Sequence, residues 1–131
     1  MELNEKDLKL IDECLGWICR HKTTSIFMDD LKGFSQGRGI AGEMCPANIL
    51  LLKAETMDEE EIELYGGKRF DGVVFDEGCD VFDTTPVILT YQEFYDFLCK
   101  YVEETIKDMD AEFQTEARRY LLLFKEKYSL K

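Results

Sequence analysis

Histidine, proline and long apolar runs are scarce in this sequence of 131 residues. There is one histidine, His21, and there are two prolines, Pro46 and Pro86. No apolar run approaches the roughly 18 residues that a membrane-spanning helix requires. The first residues, MELNEKDLK, have neither the basic stretch nor the apolar stretch of a signal peptide. We therefore expect a cytoplasmic protein without membrane contact.

The patterns of common catalytic sites are also missing. With one histidine, a metal site, a Cys-His dyad or a Ser-His-Asp triad would depend on His21, which lies between Arg20 and Lys22 at a predicted helix end. No G-x-S-x-G or H-E-x-x-H motif occurs. The glycine-rich run Gly33–Gly42 lacks the Lys-Ser/Thr pair and the following helix of a phosphate loop, so it is interpreted as a loop or hairpin. These absences predict a protein that is not an enzyme and has no cofactor.

Cysteine pairs with metal-site spacing are absent as well. The five cysteines are scattered and form no C-x-x-C pair: Cys14, Cys19, Cys45, Cys79 and Cys99. Structural zinc sites use short paired spacings, so no metal is predicted. Unpaired cysteines in a reducing compartment usually behave as small buried apolar side chains, which is the interpretation adopted for all five.

Basic side chains are few compared with acidic ones. Lysine and arginine number 16 against 28 aspartate and glutamate residues, and the net charge is −12. Phosphate contacts require lysine and arginine, so nucleic acid is not expected as a direct ligand. Eleven acidic and only two basic residues lie between Glu55 and Asp83. One short part of the chain therefore produces most of the negative field.

The remaining composition is that of a folded domain. Hydrophobic residues make up 45 % of the chain, which with the length predicts one domain spanning residues 1–131. Asn4, with Asp7 three residues later, resembles a helix N-cap, and apolar residues at helical spacing then predict a helix over residues 5–21.

Glycine and short apolar runs between Ile26 and Leu89 predict a sheet. The gaps are too short for helical crossovers, so the sheet should be mainly antiparallel, with Gly66-Gly67 as a hairpin turn. The predicted strands are Leu31–Gln36, Asn48–Ala54, Ile62–Tyr65, Phe70–Phe75 and Val87–Leu89.

Two helices are predicted after the sheet. Thr90 and Glu93 in T-Y-Q-E form a capping box, followed by an apolar helical face, and a second helix begins near Asp110. The expected fold is α+β: an N-terminal helix, a central, mainly antiparallel sheet of four or five strands, and two C-terminal helices packed on it.

The segment VVFDEGCDVFD, Val73–Asp83, carries the most concentrated signal. Counting from Asp76, its acids occupy positions one, two, five and eight, which does not match an EF-hand. A paired-carboxylate glycosidase would need a sugar cleft, for which the sequence gives no indication. Acids alternating with Val81 and Phe82 instead fit a protein interface, in which apolar anchors are rimmed by charge. For the nearby run Asp58–Glu61, a solvated face and a functional surface both remain open.

Several stretches resemble a known family. The runs F-D-G-V-V-F-D and V-I-L-T-Y-Q-E-F-Y-D-F-L, with the C-terminal helix, resemble immunity proteins of bacterial contact-dependent growth inhibition systems, in particular those paired with ribonuclease toxins. The likeness covers mainly Phe70 to Leu130, with a looser similarity in Gly33–Gly42. It implies a protein that binds the C-terminal nuclease domain of its cognate toxin and blocks access to RNA. The Cys-containing acidic connection Glu77–Thr85 departs from the family.

The predicted toxin-binding residues rest on charge and position and not on a family motif. They are Asp71, Asp76, Glu77, Asp80, Phe82 and Asp83. Phe75 has two interpretations, sheet core or interface anchor, and core is favoured. A rival hypothesis is an acidic nucleic-acid mimic or adaptor for a basic DNA- or RNA-binding protein. A third is an enzyme in which Asp76 and Asp80 hold a divalent cation.

Overall fold

The computed structural model describes residues 4–20, 24–40, 48–76 and 86–131. Within these ranges the chain is α+β, with five α-helices and one three-stranded antiparallel sheet. The helices are α1 (Glu5–Arg20), α2 (Thr24–Ser35), α3 (Glu59–Leu64), α4 (Tyr91–Ile106) and α5 (Ala111–Lys127). The strands are β1 (Asn48–Leu52), β2 (Gly72–Asp76) and β3 (Val87–Leu89), and a short 3-10 helix, Ala54–Thr56, follows β1.

The sheet has β2 at its centre, paired antiparallel with β1 on one side and with β3 on the other. Phe75 lies opposite Ile49 and Val87, and an isolated bridge joins Ile40 to Ile49. Side chains alternate across a strand, so Val73 and Phe75 enter one face while Val74 enters the other. Both faces are therefore covered, which explains the unbroken apolar run in β2.

The larger core lies between one face of the sheet and four helices, α1, α2, α4 and α5. Phe94 of α4 packs edge-on against Phe34 of α2, with ring centroids 5.3 Å apart, and lies 6.0 Å from the ring of Phe75. Helix α4 contacts β2 and β3, whereas α5 packs on α2 and α4. The two C-terminal helices thus differ in role, because only α4 packs extensively on the sheet.

A smaller core covers the opposite face of the sheet. It consists of Leu52, Met57, Tyr65 and Val74, against which half-buried apolar residues such as Ile62 pack. Ile62 of α3 and Met57, Tyr65 and Phe70 from the segments beside it supply the part of this layer that lies on the sheet. Apolar contacts therefore help to hold the acidic helix α3 against the sheet.

Two of the five predicted strands were wrong. Leu31–Gln36 lies mostly in α2, where Phe27, Leu31 and Phe34 recur at helical spacing and are all buried. Ile62–Tyr65 lies in and just after α3, whose start is fixed by a capping box at Asp58. In the described part of the chain the sheet therefore has three strands instead of four or five, and helices α2 and α3 replace the other two.

The glycine predictions need correction in the same region. Gly33 lies inside α2, so the run Gly33–Gly42 begins as helix, while residues 41 and 42 lie outside the described ranges. Gly66 and Gly67 have positive φ values of 109° and 80°, as a turn requires. They connect α3 to β2, however, and not two strands of a hairpin.

The predicted helix starts are confirmed. Asn4 accepts a hydrogen bond of 2.9 Å from the Asp7 amide before α1. The Thr90 hydroxyl accepts one of 3.0 Å from the Glu93 amide, and the Glu93 carboxylate accepts one of 2.9 Å from the Thr90 amide. Asp110 caps α5. These signals are local, which is why the sequence alone was sufficient.

Candidate functional site

The structure describes two of the six predicted site residues, Asp71 and Asp76. Glu77, Asp80, Phe82 and Asp83 lie outside the described residues. Asp71 directly precedes β2 and Asp76 ends it. At about 3.3 Å per residue, the two Cα atoms are roughly 16 Å apart. The structure therefore does not bring them into one cluster.

Asp71 is exposed and makes a structural hydrogen bond. Its carboxylate accepts a hydrogen bond of 2.8 Å from the amide of Ala54, at the start of the 3-10 helix. The neighbouring Arg69 guanidinium donates to the carbonyl oxygens of Ala54, at 2.7 Å, and Met57, at 2.9 Å. Together these side chains hold the connection between β1 and α3 against the segment that leads into β2.

Asp76 is half-buried and is linked to α3. Its carboxylate accepts a hydrogen bond of 2.9 Å from the hydroxyl of Tyr65, the residue directly after α3. Burial raises the pKa of the Tyr65 hydroxyl, and the Asp76 carboxylate and the charge of Glu61 raise it further. This contact links the residue that follows α3 to the last residue of β2.

Helix α3 is short but well specified. The Asp58 carboxylate accepts a 2.8 Å hydrogen bond from the Glu61 amide, and the Glu61 carboxylate accepts one of 3.1 Å from the Asp58 amide. Carboxylates in the first turn also stabilise the positive end of the helix dipole. The Asp58 pattern D-x-x-E was present in the sequence as a capping-box signal.

The outer side of α3 forms the surface that we call the α3 face: Glu59, Glu60, Glu63 and Leu64. All four side chains are exposed. Residues three and four apart are neighbours on a helix, so Glu60 adjoins both Glu63 and Leu64. Leu64 is 60 % exposed, more than any other large apolar side chain of the described residues. The sequence analysis did not identify Leu64 as exposed, because it assigned Ile62–Tyr65 to a strand. The signal that could have identified it was the capping box at Asp58, which predicts a helix through this segment.

The apolar anchor hypothesis for Phe75 is excluded. Phe75 is completely buried in the larger core, where it packs against Phe94. Of the cysteines, Cys14 and Cys19 are buried and Cys99 is half-buried, whereas Cys45 and Cys79 lie outside the described residues.

The described ranges contain neither a candidate metal site nor a candidate membrane-spanning helix. Residues 4–20, 24–40, 48–76 and 86–131 contain no group of three or more His, Cys, Asp or Glu side chains placed to hold a metal ion. None of the helices found there has both the length and the apolar character needed to cross a bilayer.

Comparisons with known proteins leave the resemblance found in the sequence as the only indication of a family. No protein-family model matches the chain, and neither curated proteins nor solved structures give a match. The residues of this chain and that resemblance are therefore the basis for a proposed function.

Proposed function

We propose that this protein is an immunity protein that binds and neutralises a cognate ribonuclease toxin of a contact-dependent growth inhibition system. The observation that carries the proposal is the concentration of eleven acidic residues against two basic ones between Glu55 and Asp83. Within it, the carboxylates of Glu59, Glu60 and Glu63 are exposed on α3. The resemblance of Phe70–Leu130 to this family supplies the partner class.

A ribonuclease requires positive charge at its active site. Its active site must gather cationic side chains around a phosphodiester, and an acidic surface fits that cleft in place of RNA. A net charge of −12 speeds encounter with such a basic domain. A standard interface buries about 800 Å² per partner, which one face of a domain this size can supply. Inhibition of this kind needs no chemistry, metal or cofactor.

The experiment uses the product of the gene directly upstream, which the proposal expects to end in a small basic nuclease domain. We expect the two proteins to co-purify, the toxin to lose RNA cleavage at one equivalent of this protein, and co-expression to restore growth. A titration by calorimetry gives the stoichiometry and affinity. If the upstream product is not a nuclease, or if it neither binds nor is inhibited, the proposed function is wrong.

A panel of unrelated basic proteins separates immunity from the rival hypothesis of a nucleic-acid mimic. An immunity protein should bind its own toxin at least a thousand-fold more tightly than histones, cytochrome c or other ribonucleases at physiological salt. A mimic or adaptor should bind several of them with similar affinity, and this outcome would favour the rival.

Charge-reversal variants locate the surface. One variant changes Glu77, Asp80 and Asp83 to Lys, and a second changes Glu59, Glu60 and Glu63 to Lys. Asp76 is left unchanged, because its bond to Tyr65 would confound the result. The variant that lies in the interface should associate more slowly, with a weaker dependence on salt. Unchanged association rates for both variants would show that neither group of acidic residues lies in the interface with the toxin.

A further inference from the structure

We propose that Leu64 is the apolar anchor of the toxin-binding surface and enters an apolar depression beside the cationic groups of the nuclease. This inference rests on the proposed function and adds the residue that holds the complex together once charge has brought the partners into contact. It concerns the α3 face, which the predicted site did not include.

Leu64 has the surroundings of an interface anchor. It is 60 % exposed. Two acidic residues, Glu60 and Glu61, lie one turn before it on the helix. A single exposed leucine is ordinary on protein surfaces. Acidic residues beside the leucine suit it to a role in binding, because charge orients a basic partner and the apolar side chain then loses its water on contact.

The turn after Leu64 is made of two glycines. A Cβ atom added to Gly66 or Gly67 would have no atom of the described residues within 4 Å. Their positive φ values hold this bare backbone in a turn that side chains rarely adopt. Neither glycine of this turn therefore places a side chain of its own in the way of a partner that contacts the leucine.

The backbone that carries Leu64 is held in place before binding. The next residue, Tyr65, is 8 % exposed and hydrogen-bonded to Asp76. The Gly67 amide donates a 2.7 Å hydrogen bond to the Ile62 carbonyl, which closes the C-terminal end of α3. A preorganised anchor loses little conformational freedom on binding, so more of its burial contributes to affinity.

Charge distinguishes the α3 face from the other exposed apolar surface. Leu122 and Leu123 on α5 are 52 % and 43 % exposed. One turn before and after Leu123 lie two basic residues, Arg119 and Lys127, and one acidic residue, Glu126, so the surroundings are net positive and do not attract a cationic partner. A basic nuclease therefore fits α3 and not α5, and Leu122 provides a matched control for Leu64.

The test measures binding kinetics with the upstream nuclease domain and full-length variants. Leu64→Ala should raise the dissociation rate about ten-fold or more, as loss of a hot-spot residue does, and Leu122→Ala should change it less than two-fold. Glu60→Lys with Glu63→Lys should lower the association rate and weaken its salt dependence. The control pair, Glu104→Lys with Glu112→Lys, changes the net charge equally and should have a smaller effect.

The outcomes separate this inference from the proposed function. If the wild-type protein does not bind the nuclease, the proposed function fails and the anchor fails with it. If the wild type binds and Leu64→Ala dissociates at the wild-type rate, only the anchor is overturned. If Leu64→Ala abolishes a dimer of this protein while toxin binding is unchanged, the α3 face is a self-association surface and the inference is wrong. Urea unfolding of each variant shows that the fold is intact.

Discussion

The hydroxyl of Tyr65 donates a hydrogen bond of 2.9 Å to the carboxylate of Asp76, a residue that lies 11 positions further along the chain. One partner follows helix α3 and the other ends strand β2. The bond fixes the position of the α3 face relative to the sheet, and Asp76 in turn leads into the acidic residues Glu77, Asp80 and Asp83. The same pair of side chains therefore contributes to stability and positions the surface that we propose binds the toxin.

Tyr65→Phe should destabilise the protein by about 1 kcal/mol, because it removes the donor and leaves a half-buried carboxylate with one bond fewer. Urea unfolding at pH 7 measures the change. Tyr120→Phe is the matched control: the Tyr120 hydroxyl lies 3.4 Å from the Glu116 carboxylate and 3.5 Å from the Arg119 guanidinium, so its bonds are weak. Equal losses in the two variants would show that the bond to Asp76 contributes nothing specific.

Arg69→Ala should cost about 1–2 kcal/mol, because two carbonyl oxygens, those of Ala54 and Met57, lose a charged donor. The smaller core contains Met57, so the loss should also expose part of that layer. Thermal unfolding detects the change. Lys68→Ala, an exposed neighbour of the same charge, should be nearly neutral. A similar loss for Lys68→Ala would point to net charge as the cause.

Gly39→Ala should destabilise by about 1–3 kcal/mol, as overpacking does. A Cβ atom at Gly39 would overlap the carbonyl oxygen of Ile49, which accepts a 2.8 Å hydrogen bond from the amide of Ile40. Gly33→Ala is the control: the nearest atom is 3.8 Å away, and alanine favours helix α2. Chemical denaturation of both variants should give changes of opposite sign, and a loss for Gly33→Ala would contradict the explanation.

Stability should fall in alkaline solution. Burial raises the pKa of Tyr65, Tyr91 and Tyr128 above the usual 10.0, and burial with a hydrogen bond to Cys99 raises the pKa of Tyr95 to about 12. Above pH 10 the unfolded chain loses tyrosine protons that the folded chain keeps. The contribution of these tyrosines is therefore complete below pH 10 and is lost as pH rises towards the raised pKa values.

Two measurements check the alkaline prediction. The free energy of unfolding, from urea titrations between pH 8 and pH 12, should decline above pH 10. Absorbance at 295 nm should show tyrosinate appearing later in the folded protein than in urea. Tyr95→Phe should lessen the decline, since phenylalanine has no proton to lose. A free energy of unfolding that is constant up to pH 12 would refute the assignment.

Local signals were sufficient for much of the fold. The start of α4 was predicted from Thr90 and Glu93, because a capping box involves residues only three apart. Strands β1, β2 and β3 were found because apolar residues recur between turn residues. Helix α2 was mistaken for a strand because Gly33 and Gly37 suggested turns, although Phe27, Leu31 and Phe34 have helical spacing.

The site was harder to predict because it depends on contacts between distant residues. Asp76 was named from its charge, but nothing in the sequence indicates that Tyr65 donates to it. The exposure of Leu64 follows from Ile62 and Tyr65 pointing towards the sheet, which only the packing of α3 decides. Asp71 was grouped with Asp76 by proximity in sequence, and the length of β2 places them at opposite ends.

The two unequal cores have a consequence for how this protein can diverge. A substitution on the outer side of α3 can affect the packing of the smaller core, which contains Leu52, Met57, Tyr65 and Val74. Phe75 and the helices that pack on it belong to the larger core, on the other face of the sheet. Substitutions on the outer side of α3 should therefore change this surface while the packing of the larger core stays the same.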